Sequence, residues 1–193
     1  MSRKKPSFFR RRRKASSKSP NRKIHFEALE PRILLSADLK FEMSGMVDDL
    51  TLRLQDVGGV DTLQMIDNLA AGGDEVVASQ ALAETSGVEI IGSDQDDTLR
   101  IELDFDALLD SLLIIFDGGT GNDILMRPDS DNSWEINGSD GGTLNDQLIF
   151  TNIENLEGGA ENEDTFLLAE GGSLSGILEG GEGGFDTLAI EGG

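Results

Sequence analysis

Short apolar runs separated by turns rich in Gly, Asp and Asn fill residues 87–193 and limit what this part of the chain can form. Examples are VEII, LLIIF, DILM, QLIF and DTLAI. Runs of this length between such residues are typical of short strands joined by tight turns, and they leave no segment for a substantial helix. The sequence therefore predicts an all-β fold of the sandwich, barrel or solenoid type.

An internal repeat favours the solenoid. Four segments share a Gly-led turn, an aspartate, one further residue and a large apolar residue. They are GSDQDDTLRI, GGTGNDILM, GGAENEDTFLL and GGEGGFDTLAI, in which Asp97, Asp123, Asp164 and Asp186 precede Leu99, Leu125, Phe166 and Leu188. The aspartates are 26, 41 and 22 residues apart, and we expect the longest interval to hold two coils of about 20 residues. Stacked coils that bury their apolar rows against each other have periods of this size, so we predict a parallel β-solenoid, similar to a β-helix or β-roll.

The charge is divided between two parts of the chain. Eleven of the sixteen Lys and Arg lie in residues 3–23, where there is no acidic residue. Residues 1–23 are therefore predicted to be a disordered basic tail. From Phe41 onward three basic residues face 34 acidic ones, a net charge of −31. Such a body repels itself when compact unless cations bind it.

The composition excludes several classes of protein. Cysteine is absent, so disulfides and thiolate chemistry are excluded, and one His without any Tyr is poor material for acid–base catalysis. No apolar run approaches the ~18 residues of a membrane-spanning helix. A cleavable signal peptide needs an apolar stretch of about 7–15 residues, and ILL at residues 33–35 is too short.

Residues 118–126, GGTGNDILM, match the nonapeptide G-G-x-G-x-D-x-U-x at every specified position. Gly118, Gly119 and Gly121 allow positive φ and leave carbonyl oxygens uncovered, and Asp123 adds a carboxylate. Calcium prefers six to eight oxygen ligands at flexible geometry. These four residues are therefore predicted to bind calcium. The alternative is that the Gly/Asp turns only form the corners of the coils.

This nonapeptide resembles the calcium-binding repeat of the repeats-in-toxin (RTX) family of secreted bacterial proteins. The resemblance implies that successive turns share calcium, so Asp97 and Asp186 become further candidate ligands. The chain departs from the family pattern, because a tandem copy would begin at Ile136, where the sequence reads SWEING up to Gly138.

The stretch FEALEPRILLSAD, residues 26–38, follows the basic tail. It resembles the LEPR-XLL segment near the N-terminus of large repetitive bacterial exported or surface proteins: Leu29 precedes Glu-Pro-Arg, Ile33 fills the variable position, and two leucines follow. The resemblance implies a sorting role in which residues 26–38 contact export machinery. The alternative is that its apolar residues cap the open end of the solenoid.

The sequence divides into four parts. We expect the basic tail at 1–23, the LEPR-XLL-like segment at 24–40, a strand-rich or irregular region at 41–86, and Gly/Asp-rich solenoid repeats at 87–193. The chain ends in mid-pattern at IEGG, from which we expect either the N-terminal piece of a longer protein or a truncated copy.

Local patterns add detail to this division. The alternation of Leu50, Leu52 and Leu54 predicts a strand that turns at Gly58-Gly59, whereas residues 68–86 are predicted to be a short helix or a loop. Trp134 could stack on a sugar, but its spacing from Ile136 favours a buried position.

We expect a non-enzymatic, adhesin-like region of a protein that is secreted or on the cell surface of a bacterium, with calcium ions and a cell-surface or extracellular polymer as partners. One alternative is a β-solenoid enzyme acting on polysaccharides, which needs clustered acids beside a basic residue. Arg53, Arg100 and Arg127, however, are far apart in sequence. The other alternative is nucleic-acid binding through Arg10–Lys14. The acidic body opposes it, so no nucleic acid is expected.

Overall fold

The computed structural model describes residues 37–105, 108, 112–127 and 130–192, and the basic tail and most of the LEPR-XLL-like segment lie outside them. Nearly all of the described regular structure is β, which confirms the all-β prediction. The strands are β1 Ala37–Glu42, β2 Asp49–Asp56, β3 Asp61–Asp67, β4 Glu75–Ala81, β5 Thr85–Ile91, β6 Thr98–Glu102, β7 Leu113–Asp117, β8 Ile124–Met126, β9 Ser133–Gly138, β10 Gly141–Leu144, β11 Leu148–Thr151, β12 Asn155–Glu157, β13 Thr165–Leu168, β14 Leu178–Glu179 and β15 Thr187–Ile190. Between β4 and β5 lies a 3-10 turn, Leu82–Glu84.

The strands form two mixed sheets. The eight-stranded sheet has the order β1-β5-β7-β11-β10-β9-β13-β15, and the seven-stranded sheet has the order β14-β12-β8-β6-β2-β3-β4. Nine of the strand pairs are parallel. The four antiparallel pairs lie in two hairpin segments, β2-β3-β4 and β9-β10-β11. Apart from these hairpins, successive strands alternate between the two sheets.

Alternating residues of the strands form one apolar core. In β6, for example, Leu99 and Ile101 are buried while Arg100 between them is half-buried. Parallel pairing in register places Leu125 beside Leu99, and both are fully buried. The period of two thus confirms the inward direction predicted for these residues.

The core of the eight-stranded sheet contains an aromatic row. Trp134 is fully buried, as predicted, and stacks on Phe166 with ring centroids 5.6 Å apart. It also meets Phe150 edge to face at 6.4 Å. Leu188, which pairs with Phe166, is 57% exposed. The prediction that it is buried is wrong, because β15 has a neighbour on one side only within the described chain.

The hairpin segment β2-β3-β4 confirms one sequence-based expectation and corrects another. The turn at Gly58-Gly59 is confirmed, and both glycines have positive φ. The helix or loop predicted over residues 68–86 is wrong for its central part, which forms strand β4. Pairing with β3 stabilises this strand, including Val76 opposite Ile66, so tertiary contacts decide where local propensity is ambiguous.

Candidate functional site

The four predicted aspartates lie in two kinds of turn. Asp97 and Asp123 end turns that lead from the eight-stranded to the seven-stranded sheet, whereas Asp164 and Asp186 end turns that lead back. The two members of each pair are adjacent. The backbone N–H of Asp97 donates to Asp123 Oδ1 at 2.8 Å, and that of Asp164 donates to Asp186 Oδ1 at 3.0 Å.

The 41-residue interval connects the two kinds of turn. It contains β8 to β12, including the antiparallel hairpin segment, rather than two equal coils. The connection from β11 to β12 places Glu154 beside Asp123, and Glu154 Oε2 accepts the Asp123 N–H at 2.8 Å. The connection from β8 to β9 places Asn132 beside Asp164, and the Asn132 N–H donates to Asp164 Oδ1 at 2.8 Å. The Asp-to-Asp spacing therefore does not measure a single repeat.

Each turn begins with a glycine that lies directly against the carboxylate of its aspartate. A methyl group added at this glycine would lie between 2.0 and 2.9 Å from a carboxylate oxygen, which is closer than side chains pack. The pairs are Gly92 with Asp97, Gly118 with Asp123, Gly158 with Asp164, and Gly180 with Asp186. A glycine is needed here because the folded turn has no room for a Cβ.

The carboxylates of Asp97 and Asp164 serve the turns themselves. Both side chains are fully buried. Asp97 Oδ2 accepts the N–H of Ser93, and Asp164 Oδ2 accepts the N–H of Gly159 at 3.0 Å. Asp164 Oδ1 also accepts the Asn132 backbone and Nδ2 donors, each at 2.8 Å. Because buried donors need partners, these two aspartates have a structural role that requires no metal.

Asp123 differs from Asp97 and Asp164 in the hydrogen bonding of its Oδ2 atom. It is fully buried, and its Oδ2 has no hydrogen-bond partner among the described residues. The N–H that would fill this place belongs to Gly119, and it donates instead to Asp117 Oδ1 at 3.1 Å. The nonapeptide thus holds a buried carboxylate oxygen without a protein donor, which is the atom a bound cation would satisfy.

The three glycines of the nonapeptide bring carbonyl oxygens close to the turn. Methyl groups at Gly118, Gly119 and Gly121 would lie 2.2, 2.4 and 2.3 Å from carbonyl oxygens of the adjacent turns. These oxygens belong to Asn152, Ser93 and Gln95 respectively. Oxygen atoms from three turns therefore surround residues 118–123, and a donor set of carbonyls and one carboxylate suits calcium. In the described ranges no cluster of three or more His, Cys, Asp or Glu side chains could hold a metal, so any site here depends on carbonyls.

The electrostatics of Asp123 favour a neutral or cation-bound carboxylate. Burial raises its pKa to about 6, and the negative charges of Glu154, Asp97 and Asp96 act in the same direction, while the hydrogen bond from the Asp97 N–H opposes them. Burial also raises the pKa values of Asp97 and Asp164. A group whose pKa is raised by folding binds protons more tightly in the folded state.

We therefore expect the protein in chelator to become more stable as the pH falls from 7.5 to 5. The contribution of Asp123 is fully present below its unfolded pKa, about 3.9, and is lost as the pH rises through about 6. Thermal unfolding at several pH values measures the change, and Asp123→Asn, which cannot titrate, should show a smaller rise. A melting temperature that falls between pH 7.5 and 5 would contradict this expectation.

Two acidic partners of the nonapeptide and one pair of neighbouring arginines were not predicted from the sequence. Asp117 and Glu154 carry no motif signal, because each contacts the nonapeptide through folding. Arg53 and Arg100 lie on adjacent strands of the seven-stranded sheet. They line a shallow cavity of about 230 Å³ together with Asp49, Thr51, Ile66, Asn68, Asp74 and Glu102. Their separation in sequence hid this proximity, which is the acid-and-base grouping that the enzyme alternative needs.

Comparisons of the chain with protein-family models, with curated proteins and with solved structures gave no match. The described part of the chain contains no helix with the length and hydropathy needed to cross a bilayer. The resemblances to the RTX nonapeptide and to the LEPR-XLL segment therefore stay predictions, and the geometry of the turns carries the functional argument.

Proposed function

We propose that this chain is a non-enzymatic structural module of a large exported or cell-surface protein of a bacterium, with turns that calcium stabilises. Its fold would be a two-sheet β-solenoid interrupted by two hairpins. The alternation of successive strands between the sheets, with parallel neighbours in register, supports this description. Stacked coils of this kind serve as extended scaffolds and binding surfaces.

The observation that carries the calcium proposal is the unpartnered, buried Oδ2 of Asp123. A cation there would pair with this oxygen and draw on the carbonyls of Asn152 and Gln95, neither of which accepts a hydrogen bond from the described residues. Asp97 would support the site through its N–H to Asp123 Oδ1, whereas Asp186 belongs to the other pair of turns. Bound calcium would supply positive charge to a body that otherwise repels itself.

The acidic body and the N-terminal segment support the proposed location. A domain with a net charge of −31 from Phe41 onward and a candidate calcium site suits an exterior where calcium is abundant. Residues 26–38 would direct export, and the scaffold would contact a cell-surface or extracellular polymer. We propose no nucleic-acid partner, because the acidic body would repel a phosphate backbone.

Calcium is expected to raise the thermal stability of the full chain. Free calcium at 100 times its dissociation constant would add about 2.7 kcal/mol to the free energy of unfolding. Thermal unfolding followed by circular dichroism, in chelator and in calcium with magnesium as a control, measures the shift. Asp123→Asn should abolish most of it, and the matched variant Asp186→Asn in the exposed final turn should keep it. A shift that is absent in the unmodified protein, or unchanged in Asp123→Asn, would contradict the proposal.

The polysaccharide-enzyme alternative rests on the arginine cavity. Arg53 already donates to Gln64 Oε1 from Nε and Nη2, at 3.2 and 3.1 Å, which leaves Arg100 as the candidate basic partner of the acids. Product formation from acidic polysaccharides that is lost in Arg100→Ala would favour this alternative over a purely structural module.

A further inference from the structure

A glycosylation sequon lies in strand β9. The segment reads Glu135-Ile136-Asn137-Gly138-Ser139, and Asn137 is the only one of the nine asparagines in the sequence with Ser or Thr two positions later. Asn-x-Ser, where x is not Pro, is the acceptor pattern for N-linked glycans. Glu135 stands two positions before the asparagine.

The structure places the acceptor side chain on the outside of the protein. In β9 the inward residues Trp134 and Ile136 are fully buried, while Asn137 is exposed. Strand β10 pairs Gly141 with Gly138 and Gly142 with Ile136, so Asn137 is the extra residue of a β-bulge. A bulge frees its residue from the ladder and changes the direction of the side chain.

The side chains of the sequon make few contacts within the described residues. A methyl group at Gly138 would find its nearest neighbour at 3.7 Å. Ser139 is exposed, and its hydroxyl makes no hydrogen bond within the described residues. The Asn137 carboxamide makes one long contact, from Nδ2 to Glu135 Oε1 at 3.3 Å. By contrast, Nδ2 of the exposed Asn152 donates to Asp117 Oδ1 at 2.7 Å.

Ser173 makes two backbone hydrogen bonds to residues next to the sequon asparagine. Ser173 N donates to Gly138 O at 3.0 Å, and Asp140 N donates to Ser173 O at 2.8 Å. These bonds must open, or must not yet have formed, when the sequon enters an enzyme. Asp140 also accepts the Ile153 N–H at its carbonyl oxygen and the Ser175 N–H at Oδ1, at 2.9 and 2.6 Å. All these bonds lie at the end of a hairpin, where opening can be local.

We propose that Asn137 is an acceptor for an N-linked glycan, an inference that rests on the proposed export of the protein. The donor would be an oligosaccharide on a polyprenyl pyrophosphate carrier. The Asn137 amide nitrogen forms a bond to C1 of the first sugar and loses a proton, and the bond from C1 to the pyrophosphate oxygen breaks, so that the polyprenyl pyrophosphate leaves. The glycan would cover the outer face of the eight-stranded sheet and would not disturb the core.

The test is to secrete the full chain, behind an added signal sequence, from a bacterial host that supplies an oligosaccharyltransferase and its lipid-linked donor. Intact-mass and peptide analysis should show one glycan at Asn137. Asn137→Gln and Ser139→Ala should remove it, while Ser139→Thr and the control Asn152→Gln should keep it. Circular dichroism checks that each variant folds. A secreted, folded chain without a glycan overturns the inference.

The added signal separates this inference from the proposed function. It delivers the chain to the enzyme whether or not residues 26–38 direct export. A glycan on the chain with the added signal, combined with retention inside the cell when the chain relies on its own N-terminus, would count against the export proposal and would support the acceptor site.

Discussion

Replacing Trp134 with alanine is expected to lower the free energy of unfolding by about 3–5 kcal/mol, the usual cost of truncating a large buried aromatic. Trp134 is fully buried between Phe166, on which it stacks, and Phe150, which it meets edge to face. The cavity would interrupt the row that joins β9, β11 and β13. Urea unfolding followed by circular dichroism measures the change, with the slope of the transition checked for an altered unfolding mechanism.

Two control variants separate packing from other effects. Trp134→Phe should cost less, about 1–2 kcal/mol, because the indole Nε1 has no hydrogen-bond partner in the described part of the chain and part of the volume is kept. Leu188→Ala, on the exposed side of the same row, should change stability by less than about 1 kcal/mol. Equal losses for Leu188→Ala and Trp134→Ala would contradict the placement of the core.

Replacing Asp164 with alanine is expected to lower the free energy of unfolding by about 2–4 kcal/mol, because a buried donor without a partner costs about 1–3 kcal/mol. The variant would leave two backbone N–H groups without their acceptor, those of Asn132 and Gly159. The Asn132 side chain would keep its bond to Ser130 O at 2.6 Å. Urea unfolding at pH 7 in chelator measures the loss without any contribution from calcium.

The matched control for this change is Asp186→Ala. Asp186 occupies the equivalent position in the next turn but is exposed, and it accepts one bond, from the Asp164 N–H. Because Asp186 is exposed, water can take its place as acceptor, and its loss should cost about 1 kcal/mol or less. If Asp164→Ala were as mild as Asp186→Ala, the buried carboxylate would not be what holds these turns together.

The sequence predicted the local structure of the turns better than their arrangement. Alternating apolar residues identified inward positions such as Leu99 and Leu125, because the period of a strand is a local property. The turn at Gly58-Gly59 was predicted correctly because turn formation by glycines is also a local property. Strand β4 was missed because its residues have mixed propensities and its pairing with β3 decides the outcome.

The sequence predicted the residues of the candidate calcium site but not the side chains that contact them. The nonapeptide identified Asp123 and its glycines directly from spacing. Nothing in the sequence indicated that Asp117 takes the Gly119 N–H and thereby leaves Asp123 Oδ2 unpartnered. The division of the four aspartates into two pairs was also hidden, because an antiparallel hairpin segment lies between Asp123 and Asp164 and lengthens the spacing.

Equilibrium calcium binding by the full chain, measured by isothermal titration calorimetry, tests the central claim most directly. We predict saturable binding with a dissociation constant in the micromolar to millimolar range, the span of roughly 10⁻⁷ to 10⁻³ M covered by calcium sensors and extracellular modules. The binding should be lost in Asp123→Asn and kept in Asp186→Asn. A folded protein that takes up no calcium, or an Asp123→Asn variant that binds as well as the unmodified chain, would contradict the account and leave the glycine and aspartate turns with a purely structural role.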